Sequence, residues 1–389
     1  MYQGKNIKEQ SKIFIKLLLP VLIYQIISYS SSMIGTFMAG HYSPTDLAGV
    51  SMGVNIWNPV MYTLNSIVLA IVPIVSQLMG KGREQEIPTK VRQFLYIAVF
   101  ISIILIIGLN TLVEPIVNGL GMDENIARVT KKYLFYESIG VLPIFLYVVL
   151  RAFMDSLGLT RLSMIMMVIS VPVNVLLAYG FIFGKLGMPE LGGAGNGMAV
   201  SLTYTVLFFI ALFLTLKHPK INKYKIFEKE GIKFSHWLEI FKLGVPIAIA
   251  TALETVVFST LSLMVSRFDT TIIASHQAAL NFSGFLYSLP VSVANTVTII
   301  VAYHVGAKNY KMARRYTILG VIMGMIFAFL AGMIVWIFDA NIPYLYSKDL
   351  GVIALTAHLL LYAIGFAICD SFASALAGVL RGYKKVVPI

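Results

Sequence analysis

Residues 94–113 read FLYIAVFISIILIIGLNTLV, twenty positions without a charge, set between Arg92 and Glu114. A helix rises about 1.5 Å per residue, so about 20 apolar residues cross the roughly 30 Å hydrocarbon core of a bilayer. Nine more runs of this kind follow the same pattern. With this one, extended to 94–117, they lie near 13–39, 47–79, 133–154, 162–184, 195–216, 237–266, 272–303, 317–338 and 352–380. Hydrophobic residues make up 58% of the 389, and charged residues only 12%. A soluble domain is roughly 45–50% apolar and about 25% charged. A water-soluble enzyme is excluded, and the expected fold is an all-α integral membrane protein. The first run is too long for a cleavable signal peptide and has no small-residue cleavage site after it.

The single cysteine, Cys369, lies inside an apolar run, which excludes a disulfide framework, a thiolate cluster and a CxxC pair. His41, His218, His236, His276, His304 and His358 show no metal-ligand spacing. No GxxxxGK[ST] loop is present, so ATP is not expected to drive the protein directly. The net charge of +12 is explained by topology rather than by nucleic acid, because cytoplasmic loops carry excess Lys and Arg. Placing the N-terminus inside puts 24 of the 30 basic residues on the inner side. Only Arg128, Lys131, Lys132, Lys185, Arg267 and Lys348 fall outside. The expectation is a multi-pass protein with a cytoplasmic N-terminus.

A shift of 226 positions lays Pro20 on Pro246, Ala48 on Ala274, Asn55 on Asn281, Ser66 on Ser292 and Gly80 on Gly306, without a gap. The first two spans therefore correspond to the seventh and eighth. A later echo pairs Leu150-Arg151 with Leu380-Arg381. An even number of spans separates the copies, so both face the same way, a parallel repeat about an axis along the membrane normal. This gives a six-span lobe over 1–216, a basic linker over 217–235 and a four-span lobe over 236–389. A repeat of six spans predicts two further spans beyond residue 389, roughly 60 residues at this spacing. A natural ten-helix protein is the alternative.

Ionisable groups inside lipid are costly and serve as functional hypotheses by default. Glu254, in ATALET over 250–255, and Asp370, in AICDSF over 367–372, stand mid-span with no basic residue close by in sequence. Each acid is either a neutral group bonded to a neighbouring helix, or both face one cavity and share a proton or a monovalent cation. Glu137 is placed nearer a helix end, within reach of water. In the eighth span Gln277, Asn281 and Ser288 fall on one helical face. Tyr287 offers a ring to an organic cation. Helix–helix hydrogen bonding is the plainer role for the amides. Pro172 frees a carbonyl two residues before Asn174, which makes Asn174 a possible polar site in the first lobe.

Several stretches resemble the multidrug and toxic compound extrusion (MATE) family, best its NorM-like bacterial branch. They are Leu19-Pro20, Phe37-Met-Ala-Gly40, Asp46-Leu-Ala-Gly-Val50, Pro73-Ile-Val-Ser-Gln77-Leu-Met-Gly80 and Leu150-Arg-Ala-Phe-Met-Asp155. Tyr179-Gly-Phe-Ile-Phe-Gly184, Gly244-Val-Pro246, Ala274-Ser-His-Gln-Ala-Ala-Leu-Asn281-Phe and Gly378-Val-Leu-Arg-Gly-Tyr383 continue the likeness over essentially the whole chain. The resemblance implies two bundles around a V-shaped cleft, in a bacterial plasma membrane. It implies export of cationic, amphipathic drugs or dyes in exchange for Na⁺ or H⁺, with no cofactor. Family acids on the seventh and tenth helices match Glu254 and Asp370, and eighth-helix contacts match Gln277 and Tyr287. Two departures stand out. Gly35 occupies the position of a common helix-1 Asp, and Phe366 that of a common Tyr.

The expected function is thus a secondary antiporter, acting as a monomer among membrane lipids, with small-molecule substrates and no nucleic acid. The rival is a flippase for a lipid-linked precursor. Such a protein needs basic residues deep in its cavity, and none is visible along the spans. A membrane-embedded enzyme would need a His/Asp or Ser/His constellation at one depth, and none is present.

Overall fold

The computed structural model describes residues 2–265, 268–339, 341–347 and 349–387. Arg267 and Lys348, two of the cations assigned to the outer side, lie outside the described residues. Among the described residues, ten helices are long and apolar enough to cross a membrane. They are α1 (Ile7–Tyr42), α2 (Pro44–Gly80), α3 (Ile87–Gly119), α4 (Glu124–Ser156) and α5 (Thr160–Phe183). The rest are α6 (Gly195–Lys217), α7 (Phe234–Val265), α8 (Thr270–Gly306), α9 (Tyr310–Ile337) and α10 (Leu350–Gly382).

Polar residues in the short connections start these helices. Asn6 accepts from Glu9 N, Ser43 from Thr45 N, Asp123 from Asn125 N, Asp269 from Ile272 N and Asp349 from Gly351 N. Each satisfies amide donors that a helix start leaves open. The second run, expected to be continuous, breaks at Ala70 into Pro44–Leu69 and Ile71–Gly80. Pro73 explains the break, since its ring lacks an N–H and crowds the carbonyl four residues back.

Two bundles result. In the first, α4 is central and packs against α2, α3 and α6, while α5 joins α1 to α6. Phe94, Phe145, Tyr147 and Phe153 fill its core. In the second, α8, α9 and α10 pack on one another around Val297, Ile300 and Tyr316. Side chains such as Ile103, Ile107, Phe209 and Phe213 point outward, as lipid-facing residues must.

The bundles meet in a symmetric way. α1 packs on α8 and α2 on α7, and these two pairings exchange under the 226-residue repeat. At the Lys/Arg-rich end, a Cβ on Gly80 would stand 1.9 Å from Tyr303 O, and one on Gly306 would stand 2.1 Å from Gln77 O. Gln77 and Tyr303 are themselves 226 apart, so each half of this contact is the image of the other. Gln77 Nε2 also donates to Gly382 O at 2.8 Å.

Ionic contacts surround this crossing. Glu239 on α7 pairs with Lys90 on α3 and, at 3.2 Å, with Lys384. Burial pushes the Lys384 ammonium down, against the pull of Glu239. The linker is tied to the first bundle: Glu230 pairs with Arg92 at 2.9 Å, and its backbone O accepts from Tyr96 Oη at 2.5 Å. Hydrogen bonds from Lys233 and Thr89 hold the Glu230 carboxyl below the usual carboxylate range.

Candidate functional site

α7 approaches α8 locally and brings Glu254 to Tyr287, whose hydroxyl donates to Glu254 Oε1 at 3.2 Å. Asp370, on α10, stands close enough to Glu254 for their charges to interact. Three residues from three helices are thus brought together. Both acids stand mid-helix as expected, but neither is enclosed. Glu254 and Tyr287 are exposed and Asp370 is half-buried, with Oδ2 buried and unpartnered. Two carboxylates and a phenol oxygen form a set of hard oxygen donors, able to hold a proton or a monovalent cation. Among the described residues no cluster of three or more His, Cys, Asp or Glu is placed for a metal ion. The Phe366 ring packs edge-on against Phe258 at 6.0 Å, so apolar contact stands where the resemblance expects a hydroxyl.

The amides of α8 divide. Asn281 braces two elements: its backbone O accepts from Tyr29 Oη of α1 at 2.8 Å, and its Oδ1 accepts from Tyr346 Oη at 3.2 Å. Gln277 is exposed and Ser288 is buried, so the face shared in projection runs from open to packed along the helix.

The polar site in the first bundle differs from expectation in two ways. Asn174 is buried and donates through Nδ2 to Thr203 Oγ1 at 3.3 Å, leaving its Oδ1 without a partner. A Cβ on Gly35 would lie 1.8 Å from Asn196 Oδ1. The Asn196 carboxamide therefore fills the room that an Asp at position 35 would need. Glu137 is the second difference and a correction, since it is 1% exposed rather than near water. α4 leaves Phe135, Ile139 and Leu142 exposed on one face, but Glu137 points to the packed face, so a position only a few turns from the helix end is already enclosed. Tyr133 Oη donates to Glu137 Oε1 at 2.8 Å, and Oε2 has no partner.

Basic residues inside the protein are the other correction. Arg151 and Arg381, the repeat echo, both line a cavity of about 60 Å³ between the bundles, together with Asp155, Ser66, Asn295 and Thr298. Along the sequence they read as the basic ends of inner loops. α4 continues past Arg151 to Ser156, which carries the guanidinium inside.

Comparison with known proteins gives a consistent picture. The MatE family model matches residues 20–180 and 246–389. The two matched segments begin at Pro20 and Pro246, the same register as the internal repeat. "Probable multidrug resistance protein NorM" of Oceanobacillus iheyensis is 40% identical over 387 residues, 99% of this chain and 87% of that protein. The protein of the same name from Bacillus subtilis is 40% identical over 390 residues, 99% of this chain and 86% of the relative. Among solved structures, the eukaryotic MATE transporter AtDTX14 superposes with a TM-score of 0.87 at 19% identity, covering 97% of this chain and 83% of that one. A MATE in the straight conformation gives 0.85 at 14% identity, covering 97% and 83%. At these identities the structures speak for the fold alone.

Proposed function

Since the chain belongs to the MatE family of membrane transporters, we propose that it is a multidrug efflux antiporter of the bacterial plasma membrane. It exports cationic amphipathic compounds in exchange for Na⁺ or H⁺, as a monomer and without a cofactor. The lobes are 1–216 and 236–389, joined by the linker 217–235, and the basic end with both termini faces the cytoplasm. The observation that carries the reading is the Tyr287–Glu254 hydrogen bond, with Asp370 near enough for its charge to act on Glu254. Two carboxylates near one another cannot both stay charged cheaply, so a bound cation or proton changes the electrostatics of the second lobe when it arrives or leaves. Tyr287 and Gln277, both exposed, supply contact surface for a cationic drug. Asn281 belongs to the same site as a brace. Asn174 with Thr203 is a polar site of the first lobe that lacks its own acid at position 35.

Ethidium accumulation in drug-sensitive cells expressing the chain tests this. Glu254→Gln and Asp370→Asn should each return accumulation to the level of cells without the protein, at unchanged expression. Wild-type efflux by both variants would remove the acids from the mechanism.

A flippase for a lipid-linked precursor is the second reading, favoured by Arg151 and Arg381 at one interlobe cavity. It predicts no ethidium efflux from the wild-type chain.

A further inference from the structure

Arg151 and Arg381 reach one cavity from the two halves of the repeat, and their surroundings differ. Arg151 is compensated. Its Nη1 donates to Asp155 Oδ2 at 3.1 Å, its guanidinium lies 4.5 Å from the centre of the Tyr24 ring, and Asp155 is fixed in turn by Ser163 at 2.6 Å. Arg381 forms no ion pair among the described residues. The Nε of each arginine is buried and without a hydrogen-bond partner. The lining itself carries two guanidinium groups and one carboxylate, an excess of one positive charge that only the more distant Glu254 offsets. Enclosing such a charge is costly unless a partner arrives. The guanidinium fork matches the two oxygens of a phosphate or carboxylate. Asn295 adds an amide on the same wall, and Val21, Leu69, Val72 and Ile247 supply apolar surface beside it.

We infer that this cavity is an oxyanion subsite, in which Arg381 with Arg151 binds a phosphate or carboxylate group bearing one net negative charge. Neither Glu254 nor Asp370 lines this cavity, although Arg381 lies near enough to Glu254 for their charges to interact, and the binding test below is independent of the efflux test of the coupling acids. It extends the ligand range from cations to anionic or zwitterionic amphiphiles.

The test uses the purified full chain in a neutral detergent, with binding read from the shift in thermal unfolding midpoint. Dodecyl phosphate and inorganic phosphate are titrated separately. Saturation by both identifies a site for a soluble anion, and saturation by dodecyl phosphate alone identifies a headgroup of an amphiphile. Saturation by neither overturns the proposal. Arg381→Gln should weaken phosphate binding by about tenfold or more, the size expected for losing a charged partner. Asp155→Asn should act in the opposite direction and tighten it, because the lining then carries an excess of two positive charges. An exposed control, Arg314→Gln, should leave binding as it was. Equal affinity in wild type, Arg381→Gln and Asp155→Asn would overturn the assignment even where a midpoint shift is seen. The opposed signs of the two variants separate electrostatic loss from general misfolding.

Discussion

Tyr133 and Glu137 share one hydrogen bond in a pocket that water does not reach, and the second carboxyl oxygen stands alone. Removing the single donor with Tyr133→Phe leaves the acid with no partner and should cost about 1–3 kcal/mol. Glu137→Gln keeps an acceptor for Tyr133 and nearly the same shape, so it should change stability by less than about 1 kcal/mol. Thermal unfolding of both variants in detergent checks the order, and an equal or reversed cost would contradict it. The mid-span position of Glu254 and Asp370 was legible from sequence, because each acid stands in an apolar run far from either end. Glu137 was not, because distance from a helix end gives depth along the membrane normal and says nothing about what surrounds the helix. Arg151 and Arg381 were missed for the same reason. Gly35 is a different case: its absent side chain was visible, but only the fold shows Asn196 standing in the vacated space.

Glycine pairs decide how closely helices approach, and α2 and α8 show this at Gly80 and Gly306. Alanine is favoured over glycine inside a helix by about 1 kcal/mol. At Gly80 or Gly306 the new methyl would meet a backbone carbonyl at about 2 Å, which cannot rotate away. The clash wins. Gly80→Ala and Gly306→Ala should each lower the unfolding midpoint, with a cost on the order of 1–3 kcal/mol. Gly108 on α3 has nothing within 4 Å of its Cβ, so Gly108→Ala should be neutral or slightly stabilising. Loss of stability at Gly108 equal to that at Gly80 would show that helix propensity or expression, not close approach, sets the outcome. The ten spans themselves were readable from apolar length alone. Their ends were not: α1 begins at Ile7 and α8 runs to Gly306, because capping and loop packing set helix ends while hydropathy sees only the lipid-facing part. The break at Ala70 was foreshadowed by Pro73 but hidden inside an unbroken apolar run.

Across the molecule, the linker and the basic end act as a clasp between the bundles. Glu230 is held below the usual carboxylate range by Lys233 and Thr89, with Arg92 adding to it. A depressed carboxyl contributes stability that is present above its unfolded value and is lost as pH falls through its folded value. Amide-exchange protection over residues 217–235, taken relative to the intrinsic exchange rate at each pH, should therefore fall below the ordinary glutamate range and stay flat from there to neutral pH. Glu230→Gln should remove that step, and an unchanged step would assign it elsewhere. The repeat was legible in five matched positions, and the structure returns it as paired contacts at Gly80 and Gly306. The positive-inside reading adds an outcome for topology. A cysteine placed at Lys223 or Lys311 should be labelled only from the cytoplasm, and labelling from outside would invert the orientation.

Coupling is the claim on which the rest depends, and it is best measured where both fluxes can be followed. Purified protein in liposomes loaded with ethidium should move the dye only when a Na⁺ or H⁺ gradient is imposed. ²²Na⁺ or an internal pH dye should report cation movement in the opposite direction at a fixed ratio. Glu254→Gln and Asp370→Asn should abolish both fluxes together, since an amide cannot alternate between charged and neutral. Ethidium movement at the wild-type rate without counterflow, or undiminished in both variants, would contradict cation exchange at these two carboxylates.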